Sequence, residues 1–256
     1  MPDVISQARP HVALYDLTQA TDKTLLSAWT QTLSTADTQR LKTYSSQRRR
    51  RDFIAGRFVL RSLLNHVFAK RQIMVTSEQG IPKAVDNQKH EYACSISHSH
   101  HWLAVACTTG SNLGVDLEIP AAKRDIRAAA RLLFSKNNLP SWLDKPDREI
   151  EQLFYAEWCA REAIIKCLGY GNVFNSSTTQ LSETHGLLSH QYTNLPVPGN
   201  KADRMFLDIR WAETGLGTKN SSHNCLRDSV SPSLYIATPR GRNTLMLKPI
   251  LLGSEA

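Results

Sequence analysis

The chain has 256 residues, and 31 lysines and arginines against 23 acidic residues give it a formal net charge of +8. At 41% hydrophobic residues it can bury a sizeable core, which excludes wholesale disorder, and its length allows one large domain or two small ones. No apolar run approaches the roughly 20 residues of a membrane-spanning helix, and the excess of positive charge favours an anionic partner: a nucleic acid, a phosphorylated small molecule or an acidic protein.

In chain order, Met1–Pro10 has no hydrophobic stretch of signal-peptide type. Apolar residues at helical spacing begin with Leu33, Leu41 and Tyr44 and continue with Phe53, Ile54, Phe58, Leu60, Leu63, Leu64 and Val67. Ser34 followed by Asp37 reads as a helix start of the capping-box kind. Arg48, Arg49, Arg50 and Arg51 form a basic block, with Arg57 and Arg61 after it. An extended segment is predicted at Ile73–Ser77 and a turn at Gly80-Ile81-Pro82.

Three strand-like pieces follow: the short Tyr92–Ile96, the apolar run Trp102–Cys107, and Leu113–Ile119 with strict alternation. Pro120 stops the last of these. Arg124–Phe134 and Glu149–Gly169 have helical character. Leu195–Asn200 and Gly215–Ser233 read as loops between short strands at Met205–Trp211, Leu234–Thr238 and Thr244–Leu247. The five cysteines contain no C-x-x-C pair, which predicts reduced thiols in a cytoplasm. A mixed α+β protein is expected, with a boundary near Pro120.

Asp116 and Glu118, at i and i+2 of a predicted strand, send both carboxylates to one face. Two anions side by side repel unless a cation lies between them, so they read either as a hard-metal site or as a solvent-facing strand edge. In Leu153–Gly169 the residues Leu153, Ala156, Ala160, Ala163, Ile164 and Cys167 make a core stripe. Glu162 then falls on the opposite side, with Trp158 four residues before it and Lys166 four after. An ordinary amphipathic helix explains the Glu–Lys pair but leaves Trp158 on a polar face. A carboxylate, an ammonium and an indole beside a strand bearing two more acids describe a phosphate-and-metal site, and Mg²⁺ suits such all-oxygen ligands. Ser97-His98-Ser99-His100-His101 lies between two predicted strands. It can be read as a zinc site with Cys94, a serine hydrolase centre, a phosphate-binding loop or a polar turn.

Gly114-Val115-Asp116-Leu117-Glu118 resembles the G-[IV]-D-[IVL]-E motif of 4′-phosphopantetheinyl transferases, and Trp158–Lys166 resembles their W-x-x-K-E-[AS]-x-x-K motif. Ser97-His98-Ser99 looks like the family's S-H-S element, and Leu33-Ser34 with Arg40, Arg57 and Arg61 looks like its basic N-terminal helices. The resemblance covers roughly Leu33 to Gly171. Length makes the chain similar to the larger monomeric, surfactin-synthetase-transferase-like type. That type implies two similar α+β halves related by a pseudo-two-fold, here 1–119 and 120–256, with coenzyme A in the cleft between them.

The implied reaction moves 4′-phosphopantetheine from coenzyme A to a serine of an acidic apo carrier protein and releases 3′,5′-ADP. By the same resemblance, Asp116, Glu118 and Glu162 hold Mg²⁺, and Glu162 is the general base, directly or through a metal-bound water. Lys166 stabilises the diphosphate, Arg40 and His98 bind the 3′-phosphate, Ser97 assists, and the turn with Gly80 and Pro82 packs against adenine. Arg161 stands where the family usually has a lysine and is expected at the coenzyme. Ile81 stands where the family has one in G-K-P. The rival reading is a basic nucleic-acid-binding protein or metal-dependent nuclease, with Arg48–Arg51 on phosphates. Against it, the D-x-E strand lacks the following lysine of such a nuclease core.

Overall fold

The computed structural model describes residues 10–68, 73–78, 80–110, 112–120, 125–133 and 141–168, with strand segments at 190–197, 200–211, 233–239 and 250–251. Its order is β1 (His11–Asp16), α1 (Lys23–Gln31), α2 (Thr35–Thr43), α3 (Gln47–Val67), β2 (Ile73–Glu78), β3 (Ile81–Asp86), β4 (Glu91–Ser99), β5 (Trp102–Thr108) and β6 (Gly114–Glu118). Then come α4 (Ile126–Leu133), α5 (Asp147–Leu168), β7 (His190–Val197), β8 (Asn200–Trp211), β9 (Ser233–Pro239) and β10 (Ile250–Leu251). The mixed helix-and-sheet character expected from the sequence is what the chain adopts.

The strands form two sheets, one ordered β10-β1-β5-β4-β3-β2 and the other β6-β9-β8-β7. The long helix α3 lays Ala55, Val59, Leu60, Leu63 and Leu64 on one face of the first sheet, against Ala13, Tyr15, Leu103 and Val105. On the opposite face, Val12, Leu14, Ala104 and Ala106 meet Val115, Leu117, Leu234 and Ile236 of the second sheet. Period-two alternation in β6 therefore sends Val115 and Leu117 into the core between the sheets. Gly114, Asp116 and Glu118 are left on the face that α5 covers. Strand β10 pairs in parallel with β1 through Ala13↔Ile250 and Leu14↔Leu251. Strand β6, although it precedes Pro120, belongs to the second sheet.

Local signals explain the starts of the first three helices. Ser34 caps α2 by accepting from the Asp37 N–H at 3.1 Å, and Ser46 and Asp22 cap α3 and α1 in the same way. Asp37 does not return the favour. It is buried and bonds Arg57 and Ser77 instead.

Three readings change. Strand β4 runs on to Ser99, paired with Trp102 across a two-residue turn in which His100 takes φ +58°, so Ser97-His98-Ser99 lies on a strand. Its serines and histidine looked like turn composition, but here they pair with Ala104, Leu103 and Trp102 of β5. Second, β1, and β7 with the start of β8, occupy stretches read as loop or left unassigned, because pairing in a sheet outweighs weak local propensity. Third, of the three residues expected in the turn only Gly80 lies there, at φ +88°, and Ile81 and Pro82 already belong to β3. The expected strand Thr244–Leu247 lies outside the described residues.

Candidate active site

Helix α5 lies directly on β6. Gly114 makes this possible: a Cβ there would come within 1.8 Å of the Ala163 carbonyl oxygen and 2.6 Å of the Cys167 nitrogen. Four residues of helix rise about 6 Å and two of strand about 6.7 Å, so the polar stripe of α5 keeps step with the acidic face of β6. The helix holds its place through buried Phe154, Tyr155, Cys159, Ala160, Ala163 and Ile164. Trp158 is not stranded on a polar surface. It stacks on Phe154, with ring centroids 6.1 Å apart.

Along this seam Lys166 Nζ donates to Asp116 Oδ1 at 2.6 Å and to the Val115 carbonyl at 3.2 Å. Ser97 Oγ donates to the same Asp116 oxygen at 2.7 Å. Trp158 Nε1 donates to Glu118 Oε1 at 3.1 Å, and Ser99 Oγ to Glu118 Oε2 at 3.2 Å. Burial raises the pKa of Glu162, the Asp116 charge raises it further, and Lys166 opposes both. The structure thus brings together Ser97, Asp116, Glu118, Glu162 and Lys166, from β4, β6 and α5.

Among the described residues no group of three His, Cys, Asp or Glu side chains is arranged to hold a metal ion. The donor chemistry nevertheless fits a hard cation. The three acids offer only oxygen, and Asp116 Oδ2 is buried with no hydrogen-bond partner.

A second group lines a cavity of about 430 Å³ between α2, α3 and the first sheet: Arg40, Arg49, Asp52, Arg57, Pro82 and His98. Gly80 is part of its wall, and its Cα abuts the Arg40 guanidinium: a Cβ would come within 2.1 Å of Nη1. Arg40 Nε donates to the Tyr44 hydroxyl at 3.0 Å, which aims the side chain. His98 remains open to solvent at this cavity. Its surroundings still desolvate the imidazole and lower its pKa, with Asp52 and Asp116 raising it and Lys166 and Arg48 lowering it. A neutral imidazole offers one donor and one acceptor. Arg57 is committed to Asp37 and Ser77, so Arg40 and Arg49 are the guanidinium groups of this cavity that suit a phosphate. A further cavity of about 460 Å³, between β3, β4 and the end of α5, shares Pro82 with the first and is lined by Lys166.

Arg161 is placed differently. It is 6% exposed and gives Nε and Nη2 to Glu157 Oε1 at 3.0 and 2.6 Å, within α5. Neither of these two cavities includes it. The basic block is partly committed too. Arg48 donates to the His100 carbonyl, and Arg51 grips Asp52 through Nε and Nη2. Sequence reasoning gave Tyr44 and Asp52 no site role, since no motif marks them, and it named Ser99 only within the Ser97-His98-Ser99 element and Arg49 only within the basic block.

Residues 37–108 match the model of the 4′-phosphopantetheinyl transferase N-terminal domain, and residues 112–194 match that of the 4′-phosphopantetheinyl transferase superfamily, together more than half of the chain. A Synechocystis sp. protein carrying the same family name is 27% identical over 151 residues, which are 58% of this chain and 60% of its own. The transferase HetI of Nostoc sp. is 27% identical over 126 residues, 48% of this chain and 53% of its own. The transferase psf-1 of Bacillus pumilus is 29% identical over 134 residues, 51% of this chain and 56% of its own. The chain thus spans little more than half the length of the curated relatives it matches.

Proposed function

The chain belongs to the 4′-phosphopantetheinyl transferase superfamily, and from that footing we propose that it transfers 4′-phosphopantetheine from coenzyme A to a serine of an apo carrier protein. A bond forms between the serine oxygen and the phosphorus that bears pantetheine. The bond from that phosphorus to the bridging oxygen breaks, and 3′,5′-ADP leaves. The observation that carries this reading is the seam where Asp116 and Lys166 meet at 2.6 Å beside Glu162.

Each residue then has a role. Glu162 accepts the serine proton, a general-base contribution of about 10²–10⁴-fold in other enzymes. Lys166 has three N–H donors and spends two on Asp116 and Val115, which leaves one for a diphosphate oxygen. Ser97 fixes Asp116 from the β4 side. Arg40 and His98 take the 3′-phosphate in the first cavity, where Gly80 and Pro82 form the wall beside adenine. Asp116, Glu118 and Glu162 are the residues that would hold Mg²⁺, whose chemistry there is to neutralise diphosphate charge. The N-terminal half (1–119) then supplies the coenzyme's adenosine end and the C-terminal half (120–256) supplies α5, with β6 crossing the seam. An acidic carrier meets the basic chain at the cleft mouth.

The test is to incubate the protein with coenzyme A, Mg²⁺ and an apo carrier, and to weigh the carrier. A gain of one phosphopantetheine, abolished by EDTA, is the expected result. No gain with several unrelated carriers contradicts the proposal.

A further inference from the structure

On the reading that Glu118 helps to hold a divalent cation, we infer that Ser99 and Trp158 are positioning residues that fix its carboxylate for that task. The side chains of Ser95, Ser97 and Ser99 share one face of β4 and stitch it to β6 where no backbone ladder joins the two strands. Ser95 Oγ accepts from Val115 N at 2.9 Å, and Ser99 Oγ accepts from Ile119 N at 3.1 Å. A hydroxyl has one proton, and because Ile119 N supplies its own, the Ser99 proton is free to point at Glu118 Oε2, 3.2 Å away. An indole N–H can only donate, and Trp158 donates to the other oxygen at 3.1 Å.

Glu118 is therefore held at both oxygens, from two different elements, by neutral donors. The two acids of the motif differ in this respect. The Lys166 ammonium lies 2.6 Å from Asp116, whereas the indole and the hydroxyl on Glu118 are uncharged donors that fix its orientation. Trp158 can do this because its ring is itself pinned on Phe154. Groups that orient metal ligands in this way are worth about 10–100-fold in metal affinity.

The test is Mn²⁺ titration of the full chain in the presence of coenzyme A, followed by electron paramagnetic resonance of the free ion. Ser99→Ala and Trp158→Phe should each weaken Mn²⁺ binding about tenfold, and Ser99→Thr, which keeps the hydroxyl, should stay within about twofold of wild type. Coenzyme A affinity without metal should stay unchanged in all three. In a Glu118→Ala background, Trp158→Phe should cost nothing further, because its effect runs through Glu118. If Ser99→Ala fails to fold, Trp158→Phe and the double variant carry the result. Unchanged Mn²⁺ affinity in Ser99→Ala and Trp158→Phe, with loss in Glu118→Ala, overturns the inference alone. Unchanged affinity in Glu118→Ala overturns the metal reading with it.

Discussion

Lys166, in the last turn of α5, reaches across to β6 and places its ammonium 2.6 Å from Asp116 Oδ1, with the two side chains 29% and 5% exposed. The pair joins the two motifs at the centre of the site and keeps a cation beside a carboxylate that burial would otherwise penalise. Replacing Lys166 by Ala should lower kcat by about 10²–10³-fold, the usual cost of one preorganised electrostatic partner. Lys166→Arg should not restore it, because a planar fork cannot serve Asp116, the Val115 carbonyl and a phosphate from one point. Steady-state kinetics on an apo carrier measure both.

Gly114 is where α5 touches β6 backbone to backbone. Gly114→Ala drives a methyl group into the Ala163 carbonyl, which cannot swing away as a side chain would. Overpacking of this kind costs about 1–3 kcal/mol, and the variant should fall at the upper end in a urea titration. A loss below about 0.5 kcal/mol shows that the helix can lift off the strand.

Gly80 poses a milder problem. At φ +88° it holds a conformation that side chains avoid, and an added Cβ meets the mobile tip of Arg40 rather than backbone. Gly80→Ala should therefore displace Arg40 and raise KM for coenzyme A about tenfold while kcat changes little. Dephospho-coenzyme A, which lacks the 3′-phosphate, should show no such difference between wild type and variant.

Asp86 makes stability depend on pH at the acid end. Burial pushes its carboxyl up. Bonds from His90 N and the His90 ring, from the Tyr92 hydroxyl and from Gln88 N outweigh burial and hold its pKa at about 2. A depressed carboxyl contributes stability that is complete above the unfolded value near 3.8 and is lost as pH falls towards about 2. Urea midpoints of wild type should drop across that window, and Asp86→Asn should flatten this part of the curve while being less stable at pH 7.

Much of this was legible in the chain, for identifiable reasons. The alternation of Leu113–Ile119 and the stripe of Leu153–Gly169 are periodic, and periodicity survives any tertiary context, so β6, α5 and the face carrying Glu162 and Lys166 could be read directly. The Ser34 cap was readable because a cap is local. What stayed hidden depends on which elements become neighbours. Ser97-His98-Ser99 looks polar and turn-like until β5 pairs with it. The partners of Glu118 lie 19 and 40 residues away, and Arg161 sits in a motif position yet turns to Glu157 inside its own helix.

The most direct measurement is the intact mass of an apo carrier after incubation with coenzyme A, Mg²⁺ and either wild type or Glu162→Gln, the variant shown to be folded by its melting curve. Wild type should add one phosphopantetheine to the whole population, and Glu162→Gln should leave nearly all of it unmodified over the same time, a rate loss of at least about 10²-fold. Modification by Glu162→Gln within threefold of the wild-type rate would contradict Glu162 as the base and, with it, the seam between β6 and α5 as the place where transfer occurs.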